Sequence, residues 1–273
     1  MEPAPAGPAG RDEVSRRLVS AAPGLAPRLA EDLRPAIRLA VRREPDAAMD
    51  IGQSKFGGAP DLPRGTRWPM WTAPDGEARP LQFFAQVDLG AAAAASPGPL
   101  GFPAEGQLSF FADIPSEGDG LTGTETWERD RFAVLYSPPR SLCVRCSPRL
   151  QPLPSGQLHL LGRWTWPSPI ADGFAGTDAE RRALDEVDAA CEAELRAAVP
   201  EGWSFAARHQ FGGHAGSVWQ PSGEPWRLLL QLDSDDILEV HWGDGGRLSW
   251  TARDDDVAAQ RWDAGAFVFQ TAE

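Results

Sequence analysis

Hydrophobic and polar residues alternate in the segment that follows Pro35. Ile37, Leu39 and Val41 are apolar, and arginines stand between and after them. A period of two places successive side chains on opposite faces of a strand, so that one face lies on a core and the other meets water. We therefore expect a half-buried strand across residues 37–41.

Two other apolar runs lack this alternation. They extend from Leu81 to Asp88 (LQFFAQVD) and from Trp226 to Asp233 (WRLLLQLD). A near-continuous apolar run of this length predicts a strand that is covered on both faces, as in the middle of a sheet. Each run contains one glutamine near its end, Gln86 or Gln231. Because a buried amide requires partners, we expect both glutamines to hydrogen-bond to neighbouring backbone.

A helical period appears later in the chain. Thr177 is followed three residues later by Glu180, which fits a capping box, and Pro200 marks a helix end. Between them, apolar residues recur at helical spacing: Leu184, Val187, Cys191, Leu195 and Ala198. This pattern predicts an amphipathic helix at about 178–199. Shorter helices are expected within residues 11–33 and 88–103.

Both apolar runs belong to longer segments that share one order of motifs. Ser54–Phe111 and His209–Trp250 each contain Phe-Gly-Gly, a Trp near a Pro, an apolar run ending in Gln-x-Asp, and Gly-x-Leu-Ser-aromatic. We interpret this order as an internal duplication that produces two related β units, at about 54–111 and 209–251. The order of motifs indicates architecture more directly than chemistry.

The remaining apolar segments predict further short strands. They lie near residues 106–111, 132–136, 142–146, 159–166, 203–208, 238–242, 246–250 and 266–270. Gly-Asp-Gly-Gly at 243–246 is typical of a hairpin turn between two of them. Many short strands and few helices predict an α+β fold with a mainly antiparallel β-sheet. We expect residues 1–10, which are rich in Pro, Ala and Gly, to be disordered, and residues 11–273 to form a single domain.

Charge and composition exclude some partners. The formal net charge of the 273 residues is −13, whereas binding to nucleic acid or to an anionic membrane requires a basic surface. A basic protein or a cationic ligand is compatible with this charge.

The N-terminus lacks the apolar run of a signal peptide, and the alanine run Ala91–Ala95 is far too short to span a bilayer. We expect a cytoplasmic protein, and its three cysteines do not indicate a disulfide scaffold.

The motifs resemble those of a known family. The resemblance rests on Ser54–Pro63 (SKFGGAPDLP), Pro80–Leu89 (PLQFFAQVDL), Gly106–Phe111 (GQLSFF), Leu228–Asp235 (LLLQLDSD) and Trp242–Gly246 (WGDGG). They are similar to segments of the YwqG-like bacterial proteins, from about residue 35 to the C-terminus. That family is a domain of unknown function, so the resemblance carries no catalytic residues. It implies a cytoplasmic, β-rich α+β protein with a duplicated unit.

Two cysteines are the nearest approach to a chemical motif. Cys143 and Cys146 have C-x-x-C spacing, but zinc requires two further ligands and a redox pair requires a helix N-terminus. Their flanks predict a strand, on which residues 143 and 146 point to opposite faces. We therefore favour a chance pair of small residues.

Acidic and hydroxyl residues offer two further arrangements. Asp233, Asp235 and Asp244 could converge on a hard cation, although their spacing is not that of an EF-hand and Asp also caps turns. Ser217 lies near His214, and Asp233 or Asp235 would complete a catalytic triad. Nothing in the spacing fixes the geometry of these residues. We assign no catalytic residue, no metal ligand and no cofactor.

The two Phe-Gly-Gly segments allow a structural and a functional interpretation. Paired glycines permit positive φ and close backbone approach, which favours a packing role. Alternatively, the two loops frame a groove, because clefts at the junction of repeated units are common ligand sites. The residues of that predicted groove are Lys55, Phe56, Trp68, His209, Gln210, Phe211 and Trp219.

The sequence is compatible with two classes of function. We expect a non-enzymatic binding or protein-interaction module that uses this groove or an acidic face. Its partner would be a basic protein, as for an immunity protein that neutralises a toxin, or a small ligand. The alternative is a small-molecule enzyme or sensor with its site in the same cleft, with or without a metal at Asp233, Asp235 and Asp244.

Overall fold

A computed structural model describes residues 9–113, 124–127, 130–141, 143–167, 177–214 and 226–271, with only the backbone described at 124–127. The strands are β1 Arg34–Arg43, β2 Lys55–Phe56, β3 Asp61–Pro63, β4 Met70–Thr72, β5 Ala78–Pro80, β6 Gln82–Asp88, β7 Gln107–Ala112, β8 Thr124–Trp127, β9 Phe132–Ser137, β10 Cys143–Arg145, β11 Gly156–Thr165, β12 Gln210–Phe211, β13 Trp226–Asp233, β14 Arg247–Arg253 and β15 Ala266–Gln270. The helices are α1 Arg11–Ala21, α2 Ala26–Glu31, α3 Leu89–Ala95, α4 Asp178–Ala197 and α5 Asp254–Ala258, and short 3₁₀ turns cover Asp46–Ala48 and Trp262–Ala264.

The pairing of β1 with β11 lies at the centre of the main sheet. These antiparallel strands pair over their full length, from Arg34 opposite Thr165 to Arg43 opposite Gly156. Across the described residues the main sheet has 11 strands in the order β8-β15-β14-β13-β12-β1-β11-β2-β6-β7-β9. All pairs of adjacent strands in this sheet are antiparallel. The predicted α+β class with a mainly antiparallel sheet is confirmed.

The two arms of this sheet fold over one apolar core. Trp250 of β14 is fully buried, and its ring lies 5.4 Å from Phe84 of β6 and 5.7 Å from Phe110 of β7, measured between centroids. Its indole N–H donates to the carbonyl of Phe111 at 3.1 Å. A buried indole N–H requires such an acceptor, so this bond fixes β14 against β7. The core therefore joins strands that are far apart in the sheet order.

The two predicted β units have the same pairing register. Gln86 of β6 lies opposite Ser109, and Gln231 of β13 lies opposite Ser249. Both strands carry a register irregularity shortly before the glutamine, between Phe83 and Ala85 and between Leu228 and Leu230. The Nε2 atom of Gln86 donates to the carbonyl of Gln53 at 2.9 Å, and that of Gln231 to the carbonyl of Arg208 at 2.9 Å. The prediction of buried, backbone-bonded glutamines is confirmed, whereas the duplication stays a prediction.

Helix α4 covers the outer face of the central strands. Thr177 and Glu180 form the predicted capping box, and the helix extends to Ala197. Glu192 on its buried side accepts from Arg38 of β1 at 2.9 and 3.0 Å and also binds Arg163 of β11. Arg38 is only 2% exposed, so β1 is buried on both faces and the prediction of a half-buried strand is wrong. The bidentate pair with Glu192 is what permits a buried arginine there.

Two predicted strands do not form. Near 203–208 only Ser204 bridges to β1, because the guanidinium of Arg38 binds the carbonyls of Ala207 and His209. Near 238–242 the Asp235 carboxylate accepts from the backbone N–H groups of Ile237 and Leu238, which closes a turn. Side-chain bonds to backbone thus replace the expected strand ladders.

The shorter helices lie in the two segments where they are expected. The expected short helices near the N-terminus and in the Ala-rich segment correspond to α1, α2 and α3. The predicted disorder of residues 1–10 falls mostly on residues outside the described set. None of the helices in the described ranges is both long and apolar enough to cross a membrane.

The Phe-Gly-Gly turn yields a prediction about stability. Gly57 has a φ of 60°, and a Cβ there would overlap the carbonyl oxygen of Pro154. We expect Gly57→Ala to lower the free energy of unfolding by about 3 kcal/mol or more, since left-handed strain and backbone overlap act together. Gly65 has a φ of 83° and nothing within 4 Å of the same position, so Gly65→Ala should cost only about 1 kcal/mol. Urea denaturation of both variants measures this, and equal losses would contradict it.

Candidate functional site

The first predicted groove residue, Lys55, lies inside the protein. It is the only lysine of the chain and is 0% exposed. Its ammonium donates to Asp46 at 2.8 Å and to the carbonyl of Ala59 at 2.5 Å, and it lies 3.5 Å from Asp61. These contacts join the β2 turn to the preceding loop. The Lys55 ammonium is therefore paired with groups inside the protein.

Asp61 completes this buried cluster. Its carboxylate accepts from Arg145 at 3.0 Å, from the backbone of Gly52 at 3.0 Å and from Gln86 at 2.8 Å. Burial by itself would raise the pKa of Asp61, but these hydrogen bonds and the charge of Lys55 outweigh it and hold the pKa below its usual range. Asp61 is thus ionised and fully paired at neutral pH.

His209, which lies three residues before the second Gly-Gly pair, is also fully buried. Its Nδ1 accepts from the backbone N–H of Asp233 at 3.1 Å, and its Nε2 lies 3.0 Å from Asp235. Because a backbone N–H can only donate, the proton of the neutral ring is on Nε2 and is donated to the carboxylate. The ring lies 6.1 Å from that of Phe56, between centroids. These contacts make His209 a bridge between β12 and the Asp235 turn.

The other groove residues also face inward. The Gln210 amide donates to the carbonyls of Gly212 and His214, and Phe211 is fully buried. The indole N–H of Trp68 donates to the carbonyl of Leu81. Trp219 lies outside the described residues. A part for this set in ligand binding stays a prediction, and burial of the described members, apart from the half-buried Trp68, favours packing.

The metal and triad candidates are dispersed or already paired. Asp233 binds Arg247 at 3.1 Å, and burial lowers the pKa of His214 to about 4, so this imidazole is neutral at pH 7. Ser217 of the proposed triad is outside the described residues. Among the residues that the structure describes, no three His, Cys, Asp or Glu side chains are grouped to hold a metal ion.

An open pocket lies at the end of the first β unit, where β7 and β9 meet the loops before β2 and after β9. Its volume is about 310 Å³. The wall residues include Ile51, Gly52, Asp88, Gly106, Gln107, Ser137, Pro138, Pro139, Arg140, Ser141 and Cys143. None of them belongs to the predicted groove.

Three polar residues form a row beneath this pocket. Asp88 at the end of β6 lies opposite Gln107 of β7, which in turn lies opposite Ser137 of β9. Directly opposed residues on antiparallel strands place their side chains on the same face, about 5 Å apart. The row therefore directs an acid, an amide and a hydroxyl to one side of the sheet. We call these three residues the polar row.

The Gln107 amide supplies an unpaired acceptor. Its Nε2 donates to the carbonyl of Asp61 at 2.8 Å and contacts the Ser109 hydroxyl at 2.9 Å. Since a carbonyl can only accept, the nitrogen must be the end that contacts Asp61 and the oxygen must be the other. Gln107 is only 5% exposed, and its Oε1 is buried, yet this oxygen has no hydrogen-bond partner among the described residues.

Ser137 and Cys143 form the adjoining wall. The Ser137 hydroxyl is buried against the Cys143 thiol and makes no hydrogen bond of normal geometry within the described ranges. Burial raises the pKa of Cys143, so the thiol stays protonated at neutral pH. Cys146 packs instead among the apolar residues beneath β3, and both cysteines are free. The pair does not act as one motif.

The rim of the pocket combines strain, charge and apolar surface. The N–H of Ser141 donates to the Pro138 carbonyl and closes a turn in which Arg140 has a φ of 63°. A turn with Pro second and positive φ third normally takes Gly at that third position. Ile51, another residue of the wall, is 52% exposed. Strained residues of this kind cluster at ligand-binding sites.

Sequence reasoning missed this site for a topological reason. Gln107 and Ser109 are visible as polar residues that alternate within an apolar strand, which was the available signal. Only the pairing of β6, β7 and β9 brings Asp88, Gln107 and Ser137 together.

A comparison with known proteins identifies the family of the chain but no activity. A family model described as "Domain of unknown function (DUF1963)" matches residues 54–270. This range contains both Phe-Gly-Gly segments and the whole polar row. No curated protein matches the chain.

The buried Asp61 cluster predicts a pH-dependent effect. Its pKa is lowered on folding, so its contribution to stability is complete above the unfolded-state value of about 4 and is lost as pH falls through the folded-state value. Asp61→Asn should lower the free energy of unfolding by about 3–5 kcal/mol at pH 7. The gap from the parent protein should shrink below about pH 4.

Asp75→Asn is the matched control, because Asp75 pairs with Arg79 at an exposed position and should matter by less than about 1 kcal/mol. Urea denaturation across the pH range measures both variants. A gap for Asp61→Asn that is constant with pH would contradict the assignment of an ionised, paired Asp61.

Proposed function

The chain belongs to the DUF1963 family, whose function is unknown, and we propose from the pocket alone that the protein is a non-enzymatic module that binds a small ligand. The observation that carries this proposal is the buried Oε1 of Gln107, a residue of the pocket wall, which has no hydrogen-bond partner among the described residues. A buried acceptor without a partner costs about 1–3 kcal/mol relative to a paired one. A ligand that donates to Gln107 recovers that free energy.

Three features of the pocket support ligand binding. Its volume of about 310 Å³ lies at the lower end of the range for ligand sites, about 300–1,000 Å³. Its wall contains donors, acceptors and one exposed aliphatic residue, Ile51, which is the usual mixture in such sites. Arg140, a residue of the wall, has a strained positive φ, and a turn with only a structural role would not require an arginine at that position.

The chemistry of the pocket favours binding over catalysis. A thiol nucleophile requires a lowered pKa and a neighbouring base, whereas the pKa of Cys143 is raised by burial and its neighbour is the Ser137 hydroxyl. Asp88 already accepts from the backbone N–H groups of Gly90 and Ala91 at the start of α3. These assignments suit recognition of a ligand more than proton transfer.

A basic protein partner is the second proposal. The net charge of −13 supports attraction to a cationic surface. The same charge supports our proposal that the protein binds neither nucleic acid nor anionic membranes. We propose separately that it is cytoplasmic, which agrees with three cysteines that do not indicate a disulfide scaffold. We also keep as proposals the narrower YwqG-like bacterial assignment and the internal duplication. They rest on the shared motifs and, for the duplication, on the equal registers at Gln86 and Gln231.

A ligand screen with a blocked pocket tests the main proposal. We expect a metabolite library, examined by ligand-observed NMR, to give compounds that bind the parent protein. Ile51→Trp should abolish that binding, because an indole at this exposed wall position fills the mouth of the pocket.

Ile237→Trp is the control, since Ile237 is also exposed, at 45%, and is not among the residues of the pocket wall. It should leave binding unchanged. If no compound binds, or if binding survives Ile51→Trp, the proposed site is wrong.

A further inference from the structure

The second β unit contains a counterpart of the polar row. Asp233 at the end of β13 lies opposite Arg247 of β14, which lies opposite Gln270 of β15. The same relative positions in the first unit hold Asp88, Gln107 and Ser137. The ends of β6 and β13 correspond further, because the N–H of Asp88 donates to the Ser54 hydroxyl and that of Asp233 to His209.

The two rows differ at the middle position. In the second unit the guanidinium of Arg247 lies 3.1 Å from the Asp233 carboxylate and completes an internal ion pair. In the first unit the middle residue is Gln107, which is shorter and uncharged, and Asp88 has no ion pair among the described residues. The pocket is therefore lined by Gln107 at the row position that corresponds to the cationic Arg247 of the second unit. A cationic group from a ligand would complete the first row in the way that Arg247 completes the second.

A positive group also lines the pocket. Arg140 lines the wall and is exposed, and it forms neither an ion pair nor a hydrogen bond within the described ranges. Its left-handed φ of 63° would be adopted at lower cost by Gly. An arginine at this position is explained by an anionic group on the ligand, because a guanidinium binds carboxylates with two parallel hydrogen bonds.

We infer that the pocket binds a small zwitterion of the amino-acid class. Its ammonium group is held between the Asp88 carboxylate and the Oε1 of Gln107, and its carboxylate is held by Arg140. An apolar side chain lies against Ile51 and the two prolines, Pro138 and Pro139, at the mouth. This inference rests on the proposed function and adds the chemical class of the ligand. A pocket of about 310 Å³ has room for a molecule of this size and not for a large cofactor.

Calorimetric titration tests the ligand class. The probes are the standard protein amino acids, each titrated into the full chain, followed by the decarboxylated amine and the deaminated acid of the tightest one. We expect at least one amino acid to bind with a Kd of millimolar or lower. Each analogue should bind at least tenfold more weakly, because it loses one charge-assisted contact.

Two variants separate the charged contacts from folding. Asp88→Asn keeps a good N-cap residue for α3 but removes the charge, so it should weaken binding of the amino acid and of the amine at least fivefold while leaving the acid analogue unchanged. Arg140→Gly should weaken the amino acid and the acid analogue, while thermal stability stays equal or rises because the turn strain is relieved. Asp233→Asn, in the second row, is the matched control and should leave all affinities unchanged.

The outcomes distinguish this inference from the proposed function. If the amine binds as tightly as the amino acid, the site recognises a cation alone, as on a basic peptide, and the zwitterion is wrong. If no amino acid binds, but library compounds bind the parent protein and Ile51→Trp abolishes that binding, the ligand class is wrong and the binding function stands. Unchanged affinity in both Asp88→Asn and Arg140→Gly would overturn the assigned contacts.

Discussion

The pairing of β1 with β11 is the interaction on which the rest of the structure depends. Each strand contributes ten residues to one antiparallel ladder, and each carries one of the short strands β12 and β2 on its outer side. The two arms of the sheet then extend from these short strands in the same register. Because the arms fold over a common core, Trp250 of one arm reaches the carbonyl of Phe111 in the other. The Phe-Gly-Gly turns fit this scheme as the places where each arm leaves the central pair.

Burial of charge is the second constraint. The outer faces of the arms and the central strands carry polar side chains that are covered by loops and by α4, so each requires an internal partner. Arg38 has Glu192, Lys55 has Asp46 and Asp61, and His209 has Asp235. The pocket is one place where this internal pairing is incomplete among the described residues, since the Oε1 of Gln107 has no partner there and Gln107 stands where the second unit has Arg247. The proposed ligand would supply the missing partner.

Local patterns in the sequence were sufficient for elements whose formation is local. The capping box of Thr177 and Glu180 and the two covered central strands with their glutamines are examples. Elements that depend on distant side chains were predicted less well. The chain near 203–208 satisfies its carbonyls with Arg38, and the 235–240 turn is held by the Asp235 carboxylate, so neither forms a strand. Lys55 and His209 looked like groove residues because their charged partners, Asp46 and Asp235, are not marked by any local motif.

The most direct test of the correspondence between the two rows is a double-mutant cycle of Gln107→Arg and Asp88→Asn, measured by urea denaturation. If the pocket occupies the place of the Arg247 side chain, the introduced guanidinium will pair with Asp88. We then predict a favourable coupling free energy of about 0.5–3 kcal/mol between the two positions. Additive effects, with a coupling near zero, would contradict the correspondence and with it the reason for placing a cationic ligand group at Asp88.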